Sequence, residues 1–460
     1  MEALGTPPNP LHVAVVGSGP SGFYAAEALL KSGLAVRVDM IERLPAPYGL
    51  VRYGVAPDHP KLKEPILLYS AIARLPHFSL LGNVAVGRDV SVEELRAHYH
   101  AVVFTCGAQT DRQLGIPGEN LSGSHTATEF VAWYNGHPDY RDHNFDLSQE
   151  VVVIVGQGNV AADLCRILAK SVDELRTTDI ARHALDALAG SKVREIHVIG
   201  RRGPAQAKFT NKELKELGEL ANCDAIVDPR DLELDAASRA EIEAKANFVA
   251  AKNVEILRQF AAQAASGKPR RLFFHFLKSP TALAGTDRVE HVVLARNRLD
   301  GEPFKQVARE TAETEMLRCG LVFRSIGYSG VPIPGVPFDP RRGVFPTQDG
   351  RIVDGAGAVM PGLYAAGWIK RGPTGIIGTN RADSVSTVKT LLADVVQLPP
   401  IKEPGPDGLR RLLSARGVRT VSVEDWMKID ALEVARGQPA GKPREKFTRV
   451  AEMLQCLNVG

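Results

Sequence analysis

Gly17, Gly19 and Gly22 form a G-x-G-x-x-G turn, and Glu42 stands twenty residues after the last of them. Each glycine has a physical job. One makes the tight turn, one lets backbone approach a pyrophosphate, and one lets a helix pack closely on a strand. The N–H groups and dipole at the start of the following helix favour phosphate charge. A carboxylate at the end of the next strand can accept from ribose hydroxyls. A second set follows at Gly156-Gln157-Gly158-Asn159-Val160-Ala161, with alanine in the third place, an accepted variant. Its partner position holds no acid: Gly200 is followed by Arg201 and Arg202. No carboxylate repels a phosphate there and two guanidiniums can bind one, the distinction that separates NADP from NAD. The bland alternatives are a bare structural turn and a pair of solvated surface arginines.

The elements that must position these groups decide between the readings. Val13–Val16 reads as a buried strand, Phe23–Lys31 as a helix, and Ala35–Glu42 as a second strand ending in the acid. Val151–Val155, a helix from the second turn to about Lys170, and Glu195–Gly200 repeat the order. The pattern predicts an α/β chain with two Rossmann-like dinucleotide folds, hence two cofactors. Elsewhere the spacing predicts helices over Lys63–Arg74, Val92–His100, Lys208–Ala221 and most of Ser171–Lys192 and Ala236–Ala265. Short strands are expected at Val84–Val86, Val102–Thr105, Leu317–Ile326 and Gly362–Gly367. Leu272–Phe276 and Val289–Arg296 read as strands of a small antiparallel addition, and Gln109–Glu150 as a polar, turn-rich crossover. Arg371–Thr379 is glycine-rich and opens a helix at about Arg381, again suited to a phosphate or a ring edge. Two tail helices are expected, at Leu409–Ala415 and Val423–Ala435.

Composition narrows the function classes. At 460 residues the chain has room for two to four domains. A net charge of +3 and the lack of a long basic run give no case for nucleic acid, although a local basic patch for an acidic protein remains open. Cys106, Cys165, Cys223, Cys319 and Cys456 are scattered, with no C-x-x-C. That spacing argues against a disulfide framework, an iron–sulfur cluster, a zinc site or paired redox cysteines, and favours a reducing compartment; no metal is expected. Residues 1–12 lack the features of a signal or transit peptide. No apolar run reaches membrane-span length, so no integral membrane segment is expected.

Gly17–Gly22, the segment Tyr48–Pro60, Gly156–Asp163, Gly200–Pro204, Gly367–Gly375 and Gly437–Lys446 together resemble adrenodoxin reductase, a family that includes bacterial ferredoxin–NADP reductases. The likeness runs over nearly the whole chain. It implies an FAD domain built from residues 1–108 and 331–460, with an NADP domain, 109–330, inserted between. By matching position, Gly17, Gly19, Ser21, Gly22, Glu42, Leu50, Val86, Trp368, Gly375, Ile376 and Ile377 would contact FAD. Gly156, Gly158, Asn159, Val160, Arg201, Arg202, Glu213 and Gly375 would contact NADP(H). His59 and Asp163 match a histidine and an aspartate that family members place near the flavin. His59 reads equally well as a structural hydrogen-bonding residue of its rigid loop. The family's arginine docking surface is only loosely matched, by Lys212, Lys215, Lys245 and Lys252. Lys212 and Lys215 each precede a glutamate by four residues, so a solvated helix face is the alternative.

The implied activity is transfer of electrons from NADPH through FAD to a 2Fe–2S ferredoxin, serving a cytochrome P450 or another oxygenase. Such chemistry needs two rings oriented and water excluded, not a protein nucleophile or a metal ion. Three alternatives stay open: a flavoprotein reductase subunit such as the small glutamate synthase chain, a flavin monooxygenase or disulfide reductase, and an FAD-bound redox sensor. The expected location is the bacterial cytoplasm, or the mitochondrial matrix if a presequence has been removed.

Overall fold

The computed structural model describes residues 2–244, 247–401 and 405–458. The chain divides into two compact units, Met1–Thr110 with Gly327–Gly460, and Asp111–Ile326. The second is thus inserted in the sequence of the first.

In the first unit, Leu11–Val16 (β1) is buried at every residue, as a strand covered on both faces must be. Pro20–Leu30 (α1) begins with proline at its first helical position, where a missing N–H costs nothing. Val36–Glu42 (β2) returns parallel to β1, with Leu11 opposite Val36 and Val16 opposite Ile41. Ala101–Phe104 pairs parallel with the other side of β1, and Val359–Ala365 pairs parallel with Ala101–Phe104. The strand order therefore reverses between β1 and Ala101–Phe104, the switch point at whose carboxyl end ligands bind in such sheets. Seven strands make the sheet, and its outer members on one side come from Thr347–Ala365. Both ends of the chain build this unit. Trp426, Ile429 and Met453 of the tail share one core with β1 and α1. The tail helices form at Pro406–Ala415 and Val423–Gly437, with a third at Val450–Gln455.

In the second unit, Val151–Val155 (β3), Asn159–Ala169 (α2) and Glu195–Ile199 (β4) repeat the construction, β3 and β4 parallel in register from Val151 opposite Glu195. Leu321–Arg324 lies parallel on the other side of β3. The six-stranded sheet runs Ser124–Thr126, Leu321–Arg324, β3, β4, Arg270–His275, Cys223–Val227. A separate antiparallel sheet holds Lys278–Ala284, His291–Asp300 and Val307–Arg318.

Four sequence expectations need correction. The strand expected at Val84–Val86 lies upstream, at Phe78–Gly82, where Leu80 and Leu81 are both buried. Asn83 turns the chain at φ 60°, and Val86 is left with an isolated bridge to Val90. The polar crossover Gln109–Glu150 contains a buried helix, Ala127–Tyr134, whose N-terminus is a capping box. Thr126 Oγ1 accepts from Glu129 N–H at 3.2 Å, and Glu129 Oε2 accepts from Thr126 N–H at 2.8 Å. Arg270–His275, read as antiparallel, runs parallel to both β4 and Cys223–Val227, because the helix Phe248–Ala262 carries the chain back across the sheet. Leu317–Ile326 is two strands in different sheets, parted at Cys319 and Gly320.

Candidate functional site

The two glycine turns are built alike. In the first unit Gly17 takes φ +107°, and its N–H donates to Ile41 O at 2.8 Å. A Cβ on Gly17 would sit 2.8 Å from Thr105 O, the backbone that follows the strand across the switch point. A Cβ on Gly22 would meet Gly17 O at 2.1 Å, so α1 can lie on the turn only without a side chain there. At Gly19 the same construction meets nothing within 4 Å. The glycine placed to let backbone approach a pyrophosphate thus faces open space, a cradle that a Cβ would fill. The first unit fits a dinucleotide on this ground.

Glu42 stands at the end of β2 beside that turn. Its Oε2 accepts from Ser18 N–H at 3.0 Å and Ser18 Oγ at 2.6 Å, and its Oε1 accepts from Leu44 N–H at 3.0 Å. A carboxylate has about four acceptor sites, so Glu42 fixes the turn and keeps capacity for a ribose hydroxyl. Ser21 is buried, and its Oγ lies 3.1 Å from Asn380 Oδ1. Ser384 Oγ donates to Ser21 O at 3.0 Å, tying α1 to the helix Thr379–Ala393. Leu50 opens the short helix Gly49–Tyr53, half-buried, and Val86 is half-buried in its own turn. Trp368 packs against Tyr328 with the rings tilted by 34° and their centroids 5.5 Å apart. Its Nε1 is buried with no acceptor among the described residues, a donor that fits a polar ring edge of the flavin. Gly375 and Ile376 are exposed and Ile377 half-buried in the loop before Thr379.

In the second unit Gly156 takes φ +127°, its N–H donates to Ile199 O at 2.9 Å, and a Cβ there would stand 2.1 Å from Ser325 O. Gly158 again meets nothing within 4 Å, and Ala161 is fully buried in the third place. Thr105 and Ser325 therefore wall the two turns in the same way. Sequence reasoning passed over both, although each is a hydroxyl residue directly after an apolar strand. Asn159 Oδ1 accepts from Thr210 N–H at 2.8 Å, and Val160 is half-buried beside it. Arg201 is exposed and Arg202 half-buried. Neither side chain makes an ion pair or hydrogen bond among the described residues. Burial first, and the charge of Arg201 next, lower the Arg202 pKa. Two guanidiniums without a direct ion pair, beside an open glycine turn, fit a dinucleotide carrying an extra phosphate.

Asp163 and Glu213 meet through a residue the sequence reading missed. Arg166, 1 % exposed, pairs with Asp163 and reaches Glu213 Oε2 at 2.6 Å through Nη1. The i,i+3 spacing of Asp163 and Arg166 on one helix was the available signal. His59 is buried before the 3₁₀ turn Pro60–Lys63, and its N–H donates to Ala56 O at 3.0 Å. Lys212 and Lys215 lie on Asn211–Gly218, paired with Glu216 at 3.7 Å and Glu219 at 3.2 Å. Lys252 pairs with Glu255 at 2.9 Å, and Lys245 lies outside the described residues. A groove of about 890 Å³ lies elsewhere, beyond the carboxyl ends of Cys223–Val227 and Arg270–His275. Its cations are already matched: Arg230 to Asp228 at 2.7 Å, Arg296 to Asp231 at 2.8 Å, Lys278 to Glu315 at 2.6 Å.

The family model described as pyridine nucleotide-disulphide oxidoreductase matches residues 11–203. NADPH-ferredoxin reductase FprA of Mycobacterium tuberculosis is 44 % identical over 97 % of this chain and 99 % of its own. The mitochondrial NADPH:adrenodoxin oxidoreductase of Bos taurus is 45 % identical over 97 % of this chain and 92 % of its own. The solved structure of Mycobacterium tuberculosis FprA in complex with NADPH superposes with a TM-score of 0.91 at 44 % identity, covering 98 % of this chain and 100 % of that one. This chain belongs to the family of NADPH-ferredoxin reductases and NADPH:adrenodoxin oxidoreductases.

Proposed function

We propose that this protein is an FAD-dependent NADPH–ferredoxin reductase. The observation that carries the reading is the pair Arg201 and Arg202, neither in an ion pair among the described residues, beside the open turn at Gly158. When bound, FAD takes two electrons from NADPH and can release them one at a time, as a one-electron iron–sulfur acceptor requires. The rest is binding and orientation by this chain. We assign FAD to the unit Met1–Thr110 with Gly327–Gly460, and NADP(H) to the unit Asp111–Ile326. Glu42 holds the first turn and faces the ribose, the backbone at Gly19 meets the pyrophosphate, and Trp368, Leu50 and Val86 with the loop Gly375–Ile377 border the flavin. Gly156, Gly158, Asn159 and Val160 hold the second nucleotide, and Arg201 and Arg202 read its 2′-phosphate. Glu213 orients Arg166 and Asp163 behind that turn.

The partner is a 2Fe–2S ferredoxin, whose acidic surface would meet Lys212, Lys215 and Lys252. The pairs of Lys215 and Lys252 are solvent-exposed and that of Lys212 is long, at 3.7 Å to a half-buried Glu216, so each is weak and exchangeable for a partner's carboxylate. The ferredoxin would in turn feed a cytochrome P450 or another oxygenase. A reducing compartment suits five free cysteines: the bacterial cytoplasm or the mitochondrial matrix. No described helix is long and apolar enough to cross a membrane. Stopped-flow reduction of the purified flavoprotein with NADPH and NADH, followed by cytochrome c reduction through a panel of ferredoxins, tests the proposal. Rapid bleaching by NADPH and ferredoxin-dependent turnover are expected. Slow bleaching without ferredoxin turnover would make the protein a sensor instead.

A further inference from the structure

Lys208 sits against the second glycine turn. Its N–H donates to Gln157 O at 2.7 Å, and its backbone forms a parallel bridge with Gly158. The turn it touches is held from both sides. Gln157 Nε2 donates to His275 O at 3.0 Å, and Asn159 Oδ1 accepts from Thr210 N–H at 2.8 Å. Phe209, the next residue, is 1 % exposed and anchors the segment in the core. The Lys208 backbone is therefore fixed beside the one turn position where a Cβ would meet open space.

Its charge is equally distinctive. Lys208 is exposed and makes no ion pair or side-chain hydrogen bond among the described residues. The nearby Lys212, Lys215 and Lys252 are each matched to a glutamate. An unneutralised ammonium on a flexible four-carbon stem, tethered next to an open glycine turn at a helix start, suits the bridging phosphates of a dinucleotide. We infer that Lys208 binds the pyrophosphate of NADP(H), separately from the 2′-phosphate site of Arg201 and Arg202. The inference rests on the nucleotide assignment above.

Calorimetric titration of the FAD-loaded protein with NADP+ and with 2′-AMP, which carries the 2′-phosphate but no pyrophosphate, tests it. Lys208→Met should weaken NADP+ by about fivefold to tenfold, the scale of one partly screened charge-assisted hydrogen bond. It should leave 2′-AMP within about twofold and the melting temperature unchanged, and Lys208→Arg should restore most of the loss. The double variant Arg201→Ala, Arg202→Ala should weaken both ligands. Unaltered NADP+ affinity in Lys208→Met, or equal loss of NADP+ and 2′-AMP, overturns this inference alone. Failure of the wild-type protein to bind NADP+ overturns the nucleotide assignment and this inference with it.

Discussion

Neither Arg201 nor Arg202 forms an ion pair among the described residues, and Arg202 is half-buried between the charge of its neighbour and the more distant, opposing charge of Glu241. An anion placed between two like charges relieves their mutual repulsion. A charge-assisted hydrogen bond contributes about 1.5–3 kcal/mol, and 1.4 kcal/mol is about tenfold in affinity. The pair should therefore favour NADPH over NADH by about two to four orders of magnitude. Replacing both by alanine should raise KM for NADPH steeply and leave NADH kinetics nearly unchanged, because uniform binding is lost. Equal loss with both nucleotides would make the arginines structural. Lys215 belongs to the same scale. Its pair with Glu219 is exposed, so Lys215→Glu should raise the apparent KM for ferredoxin several-fold at low salt and leave NADPH reduction alone. An unchanged KM at low salt would remove Lys215 from the docking face.

The glycine turns make their predictions as elements. Gly156 has φ +127° and a carbonyl 2.1 Å from its would-be Cβ, whereas Gly158 has φ −124° and open space. Gly156→Ala should thus overpack the turn and destabilise the protein by about 1–3 kcal/mol. Gly158→Ala should leave stability unchanged or slightly raised and weaken NADP+ binding, because its methyl group occupies the nucleotide's approach. Thermal melts and NADP+ titrations on the two variants separate the roles, and a stability loss at Gly158 would contradict this division. The short helix Gly49–Tyr53 depends on the tail in a comparable way. Arg52 Nη1 and Nη2 reach Glu433 at 2.9 and 2.5 Å, with both side chains almost fully buried. Removing one partner leaves a buried, uncompensated charge, which costs about 3–5 kcal/mol. Glu433→Ala should lower the urea midpoint accordingly and loosen the backbone that positions Leu50. An unshifted midpoint would show that Arg52 finds other compensation.

Across the whole molecule, buried and half-buried histidines set the pH response. His12 and His183 are lowered to about 4 and His275 to about 3, each mainly by burial. Between these values and the ordinary 6.5, the unfolded chain binds more protons than the folded one. Stability is therefore full above about pH 6.5 and is lost as pH falls toward 4. Asp39 and Asp111, raised to about 6 by burial, act oppositely. Their contribution is full below the ordinary carboxylate value and fades as pH rises through 6, so they offset part of the slope. Melting temperature should fall between pH 7 and pH 5, and His183→Gln should flatten that fall. A flat profile in the wild type would mean that the carboxylates balance the histidines.

What local rules encode could be read along the chain. Strand, glycines, helix, strand and terminal residue appear at fixed spacings in both units, so Gly17–Glu42 and Gly156–Arg202 were legible together with the difference between their last residues. Hydrophobic pattern alone could not say how Arg270–His275 pairs, because a short buried strand reads the same in parallel and antiparallel sheets. Nor could it separate Val307–Arg318 from Leu321–Arg324, two strands of different sheets divided at Cys319 and Gly320. The capping box at Thr126 and Glu129 was present in the sequence, yet its helix is stabilised mainly by burial, which depends on distant chain. Only tertiary structure brought Thr105 and Ser325 over the two turns, Glu433 to Arg52, and Arg166 between Asp163 and Glu213. Except for the Asp163–Arg166 step along one helix, these contacts join residues far apart in the chain. Short-range spacing carries no record of them, because closing long loops is decided by the packing of the whole unit.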